Sequence, residues 1–258
     1  MIQAEGIFSG ASGSSDHVPV LGKDFTYTGS CEVIDDSNEV SGVQWRIKFL
    51  TSGTFTPLKN MLVDTFLVGG GASGSKSGGG GGYTQTVKSI NLTAKNPYEI
   101  IIGAGGVGRK TSSSTSDGND GGTTSAFNYN AEGGNGGIYS TQPSSGVTGS
   151  CGGSGGGSAL GGNGGSDGSA GAYWGNSTAG KGQGTTTREF GESTGDLYSG
   201  GGGGSKSGRE YGFGGAGGGA TAQQSAADNT GGGGGGNWNG QPGSGGSGIV
   251  IIRKHKET

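Results

Sequence analysis

GGGGGGNWNGQPGSGGSGIVIIR, residues Gly231–Arg253, passes in 23 residues from an unbroken run of six glycines, through a tryptophan-bearing loop, to an apolar strand. The two ends make opposite demands. Gly248–Arg253 is aliphatic and β-branched, and such a segment must be buried against something. Six consecutive glycines have no side chain to bury and lose the most backbone freedom on folding. A flexible Gly/Ser linker would explain the glycines but not the strand. The glycine runs are short, recur many times and alternate with aromatic and polar segments, which argues for an ordered array.

The same contrast governs Ala104–Ser247. Those 144 residues hold five aliphatics of the Ile, Leu or Val type: Val107, Ile138, Val147, Leu160 and Leu197. At about 25 cal/mol per Å² of apolar area, so few cannot offset the entropy of ordering the backbone. Polyglycine II supplies another source of cohesion. It is an extended helix of three residues per turn with no internal hydrogen bonds, so every N–H and C=O points outward toward a neighbour. A central helix of such a bundle must be nearly all glycine, as in Gly200–Gly204 and Gly231–Gly236, whereas GSCGGSGGGS, GGNGGSDG and GFGGAGGG suit the periphery. Collagen is excluded, because glycine occurs in runs rather than at every third position and there are 5 prolines against 69 glycines.

The first hundred residues and the last dozen read as β-protein. Expected strands are His17–Leu21, Phe25–Ile34, Val43–Leu50, Met61–Val68, Tyr83–Asn91, Tyr98–Ile102 and Gly248–Arg253. VQWRIKF alternates Val43, Trp45, Ile47 and Phe49 with Gln44, Arg46 and Lys48, the period of a half-buried strand. No segment shows capped helical periodicity. The expected fold class is all-β/irregular, β-strands closing a glycine-rich polyglycine II bundle as a sandwich or lattice, with no substantial α-helix. Two regions are expected: 1–57, β-rich, and 58–258, the glycine-rich polyglycine II/β domain.

Net charge is −3 and 14% of residues are charged, so no basic surface awaits nucleic acid. The N-terminal residues MIQAEGIFSG have no signal-peptide pattern, and no apolar run approaches the ~20 residues of a membrane span, so a soluble chain is expected. Cys31 and Cys151 are read as two thiols, with one disulfide as the alternative.

Several motifs invite chemistry. Gly103–Gly108 fits GxGxxG after the strand YEIII, but RKTSSSTSDGNDGG follows and will not form the phosphate-binding helix. Gly175–Gly182 nearly spells a P-loop yet ends in Gly where Ser or Thr must hold the metal. DGNDGG (117–122) and GGNGGSDG (161–168) resemble calcium turns without the tandem repetition of a β-roll, and are read as solvated turns. The two histidines, His17 and His255, carry no triad signature. The expectation is no enzyme, no cofactor and no metal.

Aromatics are the remaining signal. Tyr129, Tyr139, Tyr173, Trp174, Phe190, Tyr198, Tyr211, Phe213 and Trp238 stand between glycine runs. Some cap or flank the lattice; others at loop tips would give rigid contact area beside adaptable Ser, Asn and Gly, a paratope-like mixture. The candidates for binding are Tyr139, Tyr173, Trp174, Tyr198, Tyr211, Phe213 and Trp238. The candidate loops are Thr111–Asp120, Ile138–Gly149, Ala172–Ala179, Thr185–Ser199, Lys206–Phe213, Thr221–Thr230 and Asn237–Pro242. If helices alternate in direction, every other loop reaches one end.

FLTSGTFTP, MLVDTFLVGGGASG, GGGGGYTQTVKSINLTAKNPYEIIIGAGG and GGSGIVIIR, in this order between about Phe49 and Arg253, resemble the glycine-rich domain of bacteriophage tail-fibre and tail-tip proteins. The glycine-rich part is also similar to the polyglycine II distal adhesins of T-even-type long tail fibres. That resemblance implies a receptor-binding protein of the virion, made in the host cytoplasm, whose loops take a host cell-surface protein or glycan. The N-terminal region departs from those adhesins; it would attach to another tail-fibre or virion protein, and a homo-oligomer is compatible. The alternative is a structural virion appendage, a decoration or fibre subunit whose loops contact neighbouring copies. A nucleotide enzyme, the third class, rests only on the chance GxGxxG.

Overall fold

The computed structural model describes residues 17–36, 45–109, 116–139, 149–173, 178–206 and 211–256. Its strands are β1 (Phe25–Tyr27), β2 (Cys31–Asp35), β3 (Trp45–Phe49), β4 (Gly53–Pro57), β5 (Met61–Val68), β6 (Thr84–Leu92), β7 (Tyr98–Ile101), β8 (Thr124–Ala126), β9 (Tyr129–Ala131) and β10 (Ile249–Lys254). They form two five-stranded antiparallel sheets, β1-β4-β7-β8-β9 and β2-β3-β10-β5-β6. No α-helix occurs among the described residues. The all-β expectation holds.

Alternation on β3 buries Trp45, Ile47 and Phe49 between the sheets, and Val250 and Ile252 of β10 join them with Phe25, Phe55, Val63, Leu67 and Ile100. Phe49 and Phe55 meet edge-on across the two sheets at 5.3 Å. The other face of the second sheet carries Phe66, Val68, Ile249 and Ile251, covered by Phe190 and Tyr198. The boundary drawn at 57/58 falls in the β4–β5 turn, and strands on both sides of it share both sheets.

Three strand expectations are corrected. Phe25–Ile34 is two strands, β1 in one sheet and β2 in the other, because the chain turns a corner at Thr28-Gly29-Ser30. A Cβ on Gly29 would lie 2.7 Å from Ser52 O, so the corner packs backbone on backbone. His17–Leu21 is irregular rather than a strand and leads into the turn Gly22–Asp24, where Asp24 N–H donates to Val20 O at 2.9 Å, with one bridge from Leu21 to Phe25. Strands β4, β8 and β9 were not expected. The β8–β9 hairpin turns on Phe127 and Asn128, both at positive φ (54° and 68°), without the glycine that normally signals such a turn.

Between the strands the chain forms the polyglycine II lattice, and its hydrogen bonds give the helix period directly. Gly69 and Ala72 donate to Tyr83 and Gly80; Gly70 and Ser73 donate to Gly122 and Asn119; Gly71 and Gly74 donate to Gly246 and Gly243, all at 2.9–3.0 Å. Amides three apart thus serve one neighbour, and three neighbours are served in rotation. A β-strand would alternate between two sides with period two; three directions mark three residues per turn. In each pair the partner numbers descend by three, so these neighbours are antiparallel. Gly200 and Gly203 donate to Gly217 and Ala220, ascending, so this pair is parallel.

Gly200–Gly204 and Gly231–Gly236 are buried throughout, as expected of central helices, and so is Gly69–Gly82. GGNGGSDG and GFGGAGGG lie at the periphery. GSCGGSGGGS does not: Gly152–Ser158 is interior. Its serines are tolerated because their hydroxyls find backbone partners. Ser150 Oγ donates to Gly78 O at 2.5 Å, and Ser154 Oγ accepts Gly168 N–H at 3.1 Å. Cys31 and Cys151 are free thiols, so the disulfide alternative falls.

Candidate functional site: the distal face of the lattice

Lattice helices that follow β5, β7 and β9, and those that precede β6, β8 and β10, begin or end at the sandwich. Their other ends define a distal face. The tight turn Ser75–Ser77 marks it: Asn237 N–H donates to Ser75 O at 2.6 Å, Ser205 N–H to Lys76 O at 3.1 Å and Ser77 N–H to Ile138 O at 3.3 Å. Ser75 Oγ donates to Ser116 O at 2.9 Å, which brings the next loop to the same end. Gly149 N–H donates to Thr178 O, and Gly212 N–H to Gly204 O. The described ends of five of the seven expected loops therefore reach this face: 111–120, 138–149, 172–179, 206–213 and 237–242.

The other two differ. Thr185–Ser199 folds over the second sheet, with Tyr198 buried against Phe66 at 5.5 Å. Tyr198 is thus a core residue and not a loop-tip contact, and burial raises its phenol pKa. Thr221–Thr230 runs out and back: its turn reaches the distal level, where Gln223 N–H donates to Gly236 O at 2.9 Å, and Asn229 N–H meets Ser247 Oγ at the sandwich end. Trp174 lies outside the described residues, and parts of four distal loops do so as well.

Five candidate aromatics sit at or beside the distal face. Tyr173, Phe213 and Tyr211 are 66%, 68% and 47% exposed. Tyr139 and Trp238 are half-buried and share a residue that sequence reasoning passed over. Lys76 Nζ stands 4.1 Å from the Trp238 ring centroid and 4.4 Å from that of Tyr139. Lys76 is only 8% exposed, and this burial lowers its pKa. Its signal was a single lysine between serines, between two glycine runs, where only a turn tip could place it.

A desolvated cation between two rings contributes on the order of 1–2 kcal/mol. Lys76→Met is therefore expected to lower the melting temperature by roughly 3–6 °C. Tryptophan emission should shift to the red as Trp238 loosens, and calorimetry with fluorescence reads both. A variant that melts and emits like the parent would show that the pairing holds nothing.

Three of the four motifs resolve into lattice parts, and Gly175–Gly182 lies partly outside the described residues. Gly103–Gly108 is a lattice helix, with Gly106 N–H on Gly71 O and Gly248 N–H on Gly103 O. Asp117 and Asp120 accept the amides of Tyr139 and Gly136, each at 2.7 Å, and Asp167 accepts that of Thr187 at 3.0 Å. No group of three metal-type ligands occurs among the described residues.

Ser89, His255 and Asp64 have the membership of a hydrolytic triad without its geometry. His255 Nδ1 lies 2.6 Å from Asp64 Oδ1, but Ser89 Oγ is 3.1 Å from Nε2 and 3.5 Å from Nδ1. The Nε2 lone pair points away from Nδ1 in the ring plane, so nearly equal distances put Oγ over the ring face. A hydroxyl there cannot pass its proton along that lone pair. The cluster instead clasps the end of β10, with His255 N–H on Leu62 O at 3.0 Å.

Fold and surface together define a class: an all-β sandwich extended by a polyglycine II lattice that presents loops at its far end. The glycine-rich domain family matches residues 50–255, most of the chain, and the protein belongs to that family. No curated protein matches it. No helix among the described residues is long and apolar enough to cross a membrane.

Proposed function

We propose that this protein is a bacteriophage tail-tip adhesin that recognises a host cell-surface protein or glycan through the distal loops of its lattice. One observation carries the reading: the described ends of five loops, with Tyr139, Tyr173, Tyr211, Phe213 and Trp238, come together at or beside one face, at the end of the lattice opposite the strands. A rigid scaffold with binding residues on clustered loops is the usual division of labour in recognition proteins, and Tyr, Trp, Ser, Asn and Gly form an adaptable contact set. In this reading the N-terminal region attaches to another tail-fibre or virion protein, and the protein resides in the virion.

The test is saturable binding of labelled full-length protein to a panel of bacterial strains. A subset of strains is expected to bind. Replacing 237–242 with a Gly/Ser turn is expected to reduce that binding at least about tenfold while the fold melts cooperatively. Binding to no strain, with the isolated protein polymerising or coating particles, would favour the structural-appendage alternative and overturn the proposal.

A further inference from the structure

Three adjacent lattice helices, 162–166, 169–173 and 211–216, form an exposed flank that runs up to the distal face. Asn163 sits at the middle of it. Its backbone O accepts Ala172 N–H at 2.6 Å, and its Oδ1 accepts Phe213 N–H at 2.8 Å. One turn along, Ser166 Oγ accepts Ala216 N–H at 2.7 Å. Side chains three apart on one helix thus bond amides three apart on the next, and lock the flank flat. A Cβ on Gly162 would lie 2.2 Å from Ala172 O and one on Gly212 2.0 Å from Gly162 O, so the three backbones are in contact.

From the two outer helices, on either side of Asn163, Tyr173 and Phe213 project into solvent, with Tyr211 beside Phe213. Hydrogen-bonded extended backbones lie about 4.8 Å apart. Two such spacings put the stems of Tyr173 and Phe213 about 10 Å apart, the reach of a disaccharide unit. The three helices carry no charged side chain.

From this we infer that the flank is a binding surface for a neutral glycan chain, Tyr173 and Phe213 being the platforms on which its sugar rings stack. The inference deepens the adhesin reading and rests on it. Large exposed rings offer the apolar faces of sugars a partner, and amide and hydroxyl groups between them meet the sugar hydroxyls. The absence of charge selects against anionic glycans and against the ionic rim of a protein receptor. Because hydrogen-bonded backbone holds both stems, little ordering accompanies binding. A second copy of the chain is the competing occupant. The three rings expose roughly 300–450 Å², well short of the ~800 Å² per partner of a stable interface.

The test uses cells of a strain that the full-length protein binds, and neutral O-polysaccharide purified from that strain. Periodate, which cleaves vicinal diols, is expected to abolish cell binding, and proteinase K treatment of the cells to leave it intact. The immobilised polysaccharide should bind the protein, and Tyr173→Ala and Phe213→Ala should each weaken this at least about fivefold. Both sites are exposed, so melting within about 2 °C of the parent is expected and excludes misfolding. Binding that resists periodate and is lost with protease overturns the glycan inference and leaves the adhesin reading standing. So does unchanged binding of both variants, or a dimer in sedimentation velocity that either variant disperses. If no strain is bound, the adhesin reading has failed and this inference with it.

Discussion

Gly202→Ala is expected to leave the protein insoluble, or to lower its melting temperature by at least about 10 °C. Gly202 is on a central helix: its N–H donates to Gly79 O, and its O accepts Gly157 N–H, both at 2.9 Å. A Cβ there would stand 2.1 Å from Gly234 O. The obstructing atom is backbone, itself held by the neighbouring helices, so no side chain can swing away. Overpacking of ordinary cores costs about 1–3 kcal/mol because side chains shift; here several lateral bonds must lengthen together, and at least about 3 kcal/mol follows. Gly240→Ala is the control, since the atoms nearest its Cβ belong to the flexible Asn237 side chain, at 3.0 Å and beyond. That variant should melt within about 2 °C of the parent. If Gly202→Ala behaves like Gly240→Ala, the lattice is not close-packed.

The lattice was legible because its requirement is compositional: where aliphatics vanish and glycine runs recur, lateral backbone bonding is the ordered option left. Strands β3, β5, β6 and β10 were legible from alternation and β-branching. The hairpin β8–β9 was not, because its strands are three residues long and its turn uses Phe127 where glycine would be the cue. Helix direction and neighbour order left no trace either. Lateral bonds join backbone to backbone, and any glycine offers the same donor and acceptor to any partner. For that reason the distal loops could not be told from the rest. Tyr198 was misjudged because an aromatic between glycine runs reads the same whether it caps a loop or covers a sheet. Its neighbour Phe190 covers the same sheet.

That sheet cover explains how so thin a hydrophobic core suffices. Between the sheets, aromatic and aliphatic side chains supply burial of the ordinary kind. In the lattice, cohesion comes from amides that each find a carbonyl at the cost of ordering glycine, with net gains of about 1 kcal/mol or less per bond. Such a region cannot start folding alone, because a single extended helix gains no bond until neighbours arrive. The sandwich fixes where six of its helices enter or leave, and so supplies the register that glycine cannot encode.

Arg253→Met is expected to cost about 3–5 kcal/mol, roughly 10 °C in melting temperature. Arg253 is 2% exposed and lies directly across the β10–β5 pairing from the fully buried Asp64. Its Nε donates to Asp64 Oδ2 at 3.2 Å, its Nη1 reaches Glu192 Oε1 at 2.9 Å, and its guanidinium stacks on Phe190 at 4.1 Å. Methionine fills much of the volume but removes the buried charge that pairs with Asp64, leaving its carboxylate only His255 and the Ser89 amide, and unpins the segment over the sheet. Burial by itself pushes the Asp64 pKa up; hydrogen bonds from His255, the Ser89 amide and Arg253, with the Arg253 charge, outweigh it and hold the pKa below the ordinary carboxylate value. A depressed folded-state pKa stabilises fully above the unfolded value of about 3.9, and that stability is lost as pH falls through the folded value. The deficit of Arg253→Met should therefore be largest near neutral pH and shrink below about pH 4. Denaturant titrations at several pH values read this dependence. A deficit that stays constant from neutrality to pH ~3 would mean that lost packing on Phe190, and not the buried ion pair, accounts for the effect.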